Sequence, residues 1–185
     1  MYSWPQRKSL RLKDYDYNQD WFYFVTVCTK DREHFFWEIQ GEIMNLSEMW
    51  EIAKREIESD VRDNILIDCY IVMPNHIHAI IVIRNQAVGC DRIAPCEDIT
   101  PWTKTEQTLT QDNGTMPSFP TLSRMIRWIK WRITSQIWIH CESWYLFSWQ
   151  KSYYDVIIRN EEQLYKTRQY ILDNPKNWNT DSNNI

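Results

Sequence analysis

Several features that would indicate a membrane or secreted protein are missing from this sequence. No apolar run approaches the roughly 18 to 20 residues that a membrane-spanning helix needs, and residues 1–13 are polar and basic, without the apolar centre of a signal peptide. The five cysteines are odd in number and form no Cys-x-x-Cys pair, which argues against a disulfide framework and a zinc knuckle. We therefore expect a cytoplasmic protein with reduced thiols.

Glycine is also scarce, whereas tryptophan is common: the chain has 3 glycines and 11 tryptophans among 185 residues. Average glycine usage is about 7%, and tight turns depend on the positive φ angles that glycine adopts without strain. The hydrophobic content of 43% is sufficient for one sizeable core. We expect a single domain over residues 1–185, with few positions where glycine can form a turn.

Two of the four histidines lie two residues apart in the segment Met-Pro-Asn-His-Ile-His, at His76 and His78. The flanking runs Ile65–Val72 and Ala79–Ile83 are apolar and β-branched, which predicts a hairpin around a Pro-Asn turn. Because side chains alternate along a strand, both imidazoles lie on one face. The pair is half of a candidate metal site, although two strand histidines with ordinary hydrogen bonds would give the same pattern.

A third ligand and a nucleophile are both available near the C-terminus. Residues 160–175 begin with an asparagine cap and an acidic first turn and end at a proline, which predicts one helix. Residues four apart share a helix face, so Tyr170 and Asn174 can present a phenol and an amide oxygen to one point. Tyr165 and Gln169 have the same spacing, and spacing alone does not choose between the pairs.

The remaining pattern indicates an α+β protein. We predict a strand at Trp21–Thr29, a helix at Ser47–Ser59, the histidine hairpin, and a helix from about Leu122 to Ile137. Residues 85–120 have little periodicity and are predicted to be a loop insertion, and residues 179–185 a flexible tail. This order of elements suits a split β-α-β sandwich in which helices pack on an antiparallel sheet.

Three motifs occur in the order PNHIH, WQKSYYDVIIRNEEQL and YILDNPKNW, and together they resemble the REP-associated tyrosine transposases, relatives of the single-tyrosine HUH insertion-sequence transposases. The segments RLKDYDY, YFVTVCTKDREHFF and SRMIRWIKWRIT extend the resemblance over most of the chain. It implies a ferredoxin-like fold with the HUH motif on a strand. It also implies a divalent metal, Mg²⁺ or Mn²⁺, on His76, His78 and Asn174. Tyr170 would be the nucleophile, because the family's tyrosine precedes an isoleucine and stands five residues before the proline of an Asn-Pro pair.

The resemblance implies a chemistry as well. The tyrosine would attack a DNA phosphate, leaving a 5′-phosphotyrosine and a free 3′-hydroxyl, and reversal of this step would join strands. The implied partner is single-stranded or hairpin DNA from repetitive extragenic palindromes. A monomer is favoured and a dimer remains possible.

The net charge of −4 argues against a DNA-binding protein at first sight. The basic residues are nevertheless clustered in an N-terminal arm and on the middle helix, beside Trp128 and Trp131. A solvated helix face with tryptophans in the core is the alternative interpretation. The candidate DNA-binding residues are Arg7, Lys8, Arg11 and Lys13 in the arm, and Arg124, Arg127, Lys130 and Arg132 on the helix.

Two other functions fit parts of the pattern. A hairpin nucleic-acid binder without catalysis would keep the same fold and basic helix. A hydrolase or oxygenase that uses His76 and His78 would need a carboxylate ligand such as Asp68.

The excess of tryptophan suggests a separate hypothesis about how the coding sequence is read. Several tryptophans stand where the resembling family has glycine, namely Trp21, Trp37, Trp50 and Trp128. This pattern would result if the source organism reads UGA codons as glycine and these codons were translated here as tryptophan. In that case we expect bulky tryptophan side chains at tight turns. UGG codons at these positions in the coding DNA would exclude the hypothesis.

Overall fold

The structure is a computed structural model, and it describes residues 21–40, 43–59, 65–84, 122–181, 183 and 184. The expected loop insertion at residues 85–120 lies outside this part of the chain. So do Cys90, Cys96 and the basic arm that contains Arg7, Lys8, Arg11 and Lys13.

Nine helices and strands make up the described fold. In chain order they are β1 (Trp21–Cys28), β2 (Trp37–Gln40), β3 (Ile43–Leu46), α1 (Glu48–Glu58), β4 (Ile65–Met73), β5 (His76–Ile83), α2 (Leu122–His140), β6 (Tyr154–Ile158) and α3 (Glu161–Asp173). Four strands form an antiparallel sheet in the order β4-β5-β1-β6, and β2 pairs with β3 separately. The expected α+β class with a ferredoxin-like sheet is confirmed.

The helix starts follow the capping residues that the sequence predicted. The Ser47 hydroxyl accepts a hydrogen bond from the Trp50 backbone N–H at 3.1 Å, and α1 begins at the next residue. The Asn160 side chain accepts one from the Gln163 N–H at 2.8 Å, and α3 follows in the same way. Each cap satisfies one of the backbone donors that a helix leaves unpaired at its start.

The four-stranded sheet has two different faces. On β1, Tyr23, Val25 and Val27 point into the main core, which α1 and α2 cover with residues such as Ile52 and Ile133. We call this side the α1/α2 face. The alternate residues of β1 point to the other side, where Phe22 and Phe24 pack around a small cluster of buried residues, Cys69, Ile80, Ile158 and Ile171. Ile171 belongs to α3, so we call this side the α3 face.

Two features of the fold were not predicted. The strand β6, from Tyr154 to Ile158, is five residues long and forms an edge of the sheet. The hairpin of β2 and β3 has four residues in each strand. Strands this short carry too few side chains for a clear period-2 pattern.

The expectations about cysteines and about membrane-spanning helices can be compared with the described residues. Cys28, Cys69 and Cys141 are buried and form no disulfide with one another. Within the described ranges no helix is both long enough and apolar enough to cross a membrane.

Trp21, Trp37, Trp50 and Trp128 lie in regular elements, at the starts of β1 and β2 and inside α1 and α2. Among described non-glycine residues, positive φ angles occur at Asp31 (53°) and Arg32 (61°) and at none of these tryptophans. Trp37 and Trp50 both donate indole hydrogen bonds to the Val72 carbonyl, at 3.0 and 3.3 Å. The expectation that the bulky side chains sit at tight turns is therefore wrong.

Candidate active site

The two histidines of β5 form a buried pair on the α3 face. His76 lies opposite Cys28 of β1 and His78 lies opposite Thr26, so both imidazoles project from the middle of the sheet. Both side chains are almost fully buried. Their Nε2 atoms are 3.0 Å apart. The strand alternation that suggested a shared face is thus realised, with both rings converging on one point.

Hydrogen bonds at the other ring nitrogens orient this pair. His76 Nδ1 lies 2.8 Å from Asn75 Oδ1, and His78 Nδ1 lies 2.9 Å from Thr26 Oγ1. With the ring proton on Nδ1 in each hydrogen bond, both Nε2 lone pairs face the same space, as in metal-binding histidines that are fixed by outer partners. Asn75 is held in turn, because its amide donates to the carbonyls of Arg32 and Asn183 at 3.2 and 2.8 Å.

The two imidazoles are held in the neutral form. Burial lowers the pKa of His76 to about 3, and the positive charge of Arg32 acts in the same direction. Burial also lowers the pKa of His78 well below its usual value, and its neighbour His76 adds to the effect. A histidine binds a cation in its neutral form, so both side chains are ready to act as ligands at neutral pH.

A carboxylate completes the cluster, and it was missed by sequence reasoning. An oxygen of Asp181 and one ring nitrogen each of His76 and His78 all lie within 4.8 Å of one another. Asp181 belongs to residues 179–185, which were expected to be a flexible tail. Trp178 is buried beside His76, with 6.0 Å between the ring centroids, and it directs the chain back to the sheet. An aromatic residue followed three residues later by a carboxylate was the available signal.

The C-terminal helix brings the predicted tyrosine to the histidines. The Tyr170 hydroxyl is 3.4 Å from His78 Nε2, and its ring packs edge-on against Phe24 with 5.9 Å between the ring centroids. Burial raises the pKa of Tyr170, a hydrogen bond with the Asn174 side chain opposes the increase, and the charge of Asp181 adds to it. The phenol is therefore protonated at neutral pH and must lose its proton before or during any nucleophilic attack.

Asn174 ends α3 and is 3% exposed. Its Oδ1 atom is buried and has no hydrogen-bond partner among the described residues. A buried amide oxygen without a partner is costly unless another group satisfies it. A cation next to this oxygen would provide that group.

The donor set fits a divalent cation. Two imidazole nitrogens, a carboxylate oxygen and an amide oxygen are ligand types that divalent first-row metals and Mg²⁺ accept. The 3.0 Å between the two Nε2 atoms is the separation expected for adjacent octahedral ligands at distances of about 2.1 Å.

The alternative nucleophile and the alternative carboxylate ligand that the sequence offered lie elsewhere in the structure. Tyr165 is 64% exposed, compared with 46% for Tyr170, and Gln169 is exposed too. Asp68 is bonded to Arg168 of α3 at 2.8 and 2.5 Å and is not part of the His-His-Asp cluster. The described residues therefore contain one arrangement that combines a tyrosine with the histidine pair, and it uses Tyr170.

The basic residues of α2 divide into two groups. Lys130 donates to the carbonyls of Gln150 and Ser152 at 2.8 and 3.0 Å, and burial lowers its pKa. Arg132 forms a 2.6 Å ion pair with Glu56 of α1. Both of these side chains therefore bond to other groups within the protein and stabilise the fold. Arg124 and Arg127 are exposed, on the helix that covers the α1/α2 face and thus across the sheet from the histidines.

Comparison with known proteins finds a relative in sequence and a likeness to a solved structure. An uncharacterized protein of Haemophilus influenzae is 32% identical over 177 residues, which cover 95% of this chain and 91% of the relative. No family model matches the chain. The structure of a REP-associated tyrosine transposase bound to a REP hairpin superposes with a TM-score of 0.52 at 18% identity, over 90% of this chain and 74% of that one. This second likeness is one of fold.

Proposed function

The chain belongs to the same family as the Haemophilus influenzae protein and has the fold of a REP-associated tyrosine transposase, and from this we propose that it is a metal-dependent single-strand DNA endonuclease and strand transferase. Its substrate is DNA next to a hairpin or palindromic repeat. Its product after cleavage is a 5′-phosphotyrosine on Tyr170 and a free 3′-hydroxyl. The solved relative is bound to a REP hairpin, and this supports the substrate class.

One observation carries the proposal. The Tyr170 hydroxyl is 3.4 Å from His78 Nε2, within a cluster that also contains His76 and Asp181. A structural tyrosine has no need of two neutral buried imidazoles and a carboxylate beside its hydroxyl. A tyrosine nucleophile needs a cation there, because attack on a phosphate builds charge on the phosphate oxygens.

His76, His78, Asp181 and Asn174 would hold the divalent cation, with Asn174 as the ligand expected from the motif and Asp181 as an added one. When bound, the cation would neutralise charge on the phosphate oxygens and favour loss of the phenol proton. The protein's own part is to fix the ligands and to hold the phenol in line with the phosphorus.

The covalent step exchanges one phosphate ester for another. The Tyr170 oxygen forms a bond to phosphorus, the bond from phosphorus to the 3′-oxygen breaks, and that oxygen takes up a proton while the phenol gives one up. Since the bond energy is kept in the phosphotyrosine, a 3′-hydroxyl can reverse the reaction and join a new strand. A single tyrosine therefore serves both cleavage and joining.

The test is a covalent adduct. The protein is mixed with Mn²⁺ and labelled single-stranded DNA that carries palindromic repeats from its own genome, and adducts that survive denaturation are counted. We expect an adduct in the wild type and in Tyr165→Phe, the matched control on the exposed side of α3, and none in Tyr170→Phe.

An adduct that survives in Tyr170→Phe would move the nucleophile to another tyrosine. DNA binding without any adduct, in protein made from a verified coding sequence, would favour the non-catalytic hairpin binder.

A further inference from the structure

The strand β4 contains one irregularity, and it lies beside the tyrosine helix. Ile67 pairs with Ile81 of β5, whereas Cys69 pairs with Ile80, so Asp68 is an extra residue in β4. This is a β-bulge, a feature that turns a side chain away from the regular alternation. As a result Ile67 packs with the core of the α1/α2 face and Cys69 packs with the cluster of the α3 face.

The bulge presents the Asp68 carboxylate to α3. Arg168 donates from Nε to one carboxylate oxygen at 2.8 Å and from Nη2 to the other at 2.5 Å. The Asp68 side chain is 1% exposed and the Arg168 side chain 22%. Two parallel hydrogen bonds from one guanidinium to one carboxylate fix direction as well as distance.

Apolar packing alone anchors α3 weakly. Among its 13 residues Ile171 is the buried one, and Leu164 packs partly against the same small cluster. Leu164, Arg168 and Ile171 recur at the i, i+4 and i+7 positions that define one helix face. The Arg168–Asp68 pair is therefore in the middle of the contact between α3 and the sheet.

We propose that the Asp68–Arg168 pair positions the tyrosine helix, setting the rotation and height of α3 so that the Tyr170 hydroxyl meets the histidine pair. Arg168 is two residues before Tyr170 on α3, and its guanidinium is bonded to Asp68 of β4. Its effect on cleavage rests on the proposed function, whereas its effect on the docking of α3 does not. A misplacement of about 1 Å at a reacting atom can cost about 10²-fold in rate.

Three variants separate this role from general stability. Arg168→Lys keeps the charge and loses the paired hydrogen bonds. The double variant Asp68→Leu with Arg168→Met replaces the buried ion pair by apolar side chains of similar size. Lys166→Met is the matched control, because Lys166 forms an exposed ion pair with Glu162 on the same helix at 2.5 Å.

Each variant is measured in two ways. Adduct formation is followed in a single turnover at saturating DNA, beside the dissociation constant for DNA. Hydrogen exchange of the α3 amides is compared with that of β5. For Arg168→Lys we expect a rate reduced by about 10²-fold, an unchanged dissociation constant, and faster exchange confined to α3. The double variant keeps the stability of the fold but stays about as slow as Arg168→Lys, because it also lacks the paired hydrogen bonds, and Lys166→Met behaves as the wild type.

The outcomes distinguish the two proposals. A wild type that forms no adduct overturns the proposed function, while exchange that rises selectively in α3 of Arg168→Lys still supports the docking role. Unchanged α3 exchange in Arg168→Lys, or exchange that rises equally in β5, overturns the docking role. A double variant that recovers the wild-type rate would show that apolar contact alone places α3, and it would overturn the role of the paired hydrogen bonds.

Discussion

The two faces of the sheet are built from alternate residues of the same strands and differ in chemistry. The α1/α2 face is apolar, and α2 alone buries Ile126, Ile129, Ile133 and Ile137 there. The α3 face holds His76, His78 and Thr26 among a few apolar residues. Because adjacent strand residues point in opposite directions, one set of strands supplies both the folding free energy and a polar site.

The comparison also explains why the histidines are buried. All eight residues of β5 are buried, since helices cover both faces of this strand. Burial is unfavourable for charged imidazoles and keeps them neutral. Burial of the two imidazoles on the α3 face therefore lowers the stability of the fold, but it keeps both side chains neutral and able to act as ligands at neutral pH. Apolar packing on the α1/α2 face supplies the stability that is lost.

The largest expected effect is on the α3 face and concerns activity. His78→Ala should reduce single-turnover adduct formation by about 10³-fold or more, because it removes a metal ligand next to the phenol. Thr26→Val should cost about 10- to 100-fold, since it removes the hydrogen bond that orients His78. Equal rates in His78→Ala and the wild type would rule out a metal site on this face.

The second prediction contrasts one isoleucine from each face. Ile133 and Ile171 are both fully buried. Ile133→Ala should lower the free energy of unfolding by about 2–5 kcal/mol, measured by urea denaturation, with a normal adduct rate for the folded fraction. Ile171→Ala should lower it less and slow adduct formation more, because α3 can detach locally. A reversed pattern would show that the two faces do not divide stability and activity in this way.

The third prediction uses the depressed histidine pKa values. In the unfolded chain a histidine takes up a proton below pH of about 6.5, whereas folded His76 stays neutral down to about pH 3. The unfolded state therefore binds more protons as the pH falls, and stability decreases. Between pH 7 and 5 His76 alone should remove about 2 kcal/mol from the free energy of unfolding of the metal-free protein.

Urea titrations at pH 7, 6 and 5 measure this loss, and His76→Gln should show a smaller one. An unfolding free energy that is equal at pH 5 and pH 7 would mean that the histidines are not held neutral by the fold.

The smallest expected effect concerns the exposed basic residues of the α1/α2 face. Arg127→Ala should weaken DNA binding a few-fold and reduce the salt dependence by about one counterion, with little change in stability. Lys130→Ala, which loses two hydrogen bonds to carbonyls, should destabilise the fold instead. DNA affinity that is unchanged in Arg127→Ala would restrict the role of this face to folding.

Local patterns were enough to predict much of the fold. The caps at Ser47 and Asn160 and the apolar runs around the Pro-Asn turn determine local structure directly, and these elements formed where expected. The shared face of His76 and His78 follows from strand alternation alone. Tyr170 required the resemblance as well, because Tyr165 has the same spacing to an amide.

Contacts between residues that are far apart in the sequence could not be predicted from local patterns. Asp181 reaches the histidines because Trp178 packs against His76, a contact that has no local pattern. The pairing of Asp68 with Arg168 depends on a bulge that spans two strands. The division of the α2 cations, with Lys130 and Arg132 bonded inside the protein, depends on which neighbours fold against the helix. Sequence alone showed a uniform basic helix there.

The central claim is that Tyr170 is the nucleophile, and mapping the covalent adduct tests it most directly. After reaction with Mn²⁺ and a short single-stranded repeat DNA, nuclease trimming leaves a nucleotide on the attacking tyrosine. Trypsin then separates the two candidates, because Tyr165 lies in the peptide 160–166 and Tyr170 in the peptide 169–176. We predict that mass spectrometry finds the nucleotide on the second peptide and only when the metal is present. A nucleotide on peptide 160–166, or one on 169–176 that forms equally well in EDTA, would contradict the account.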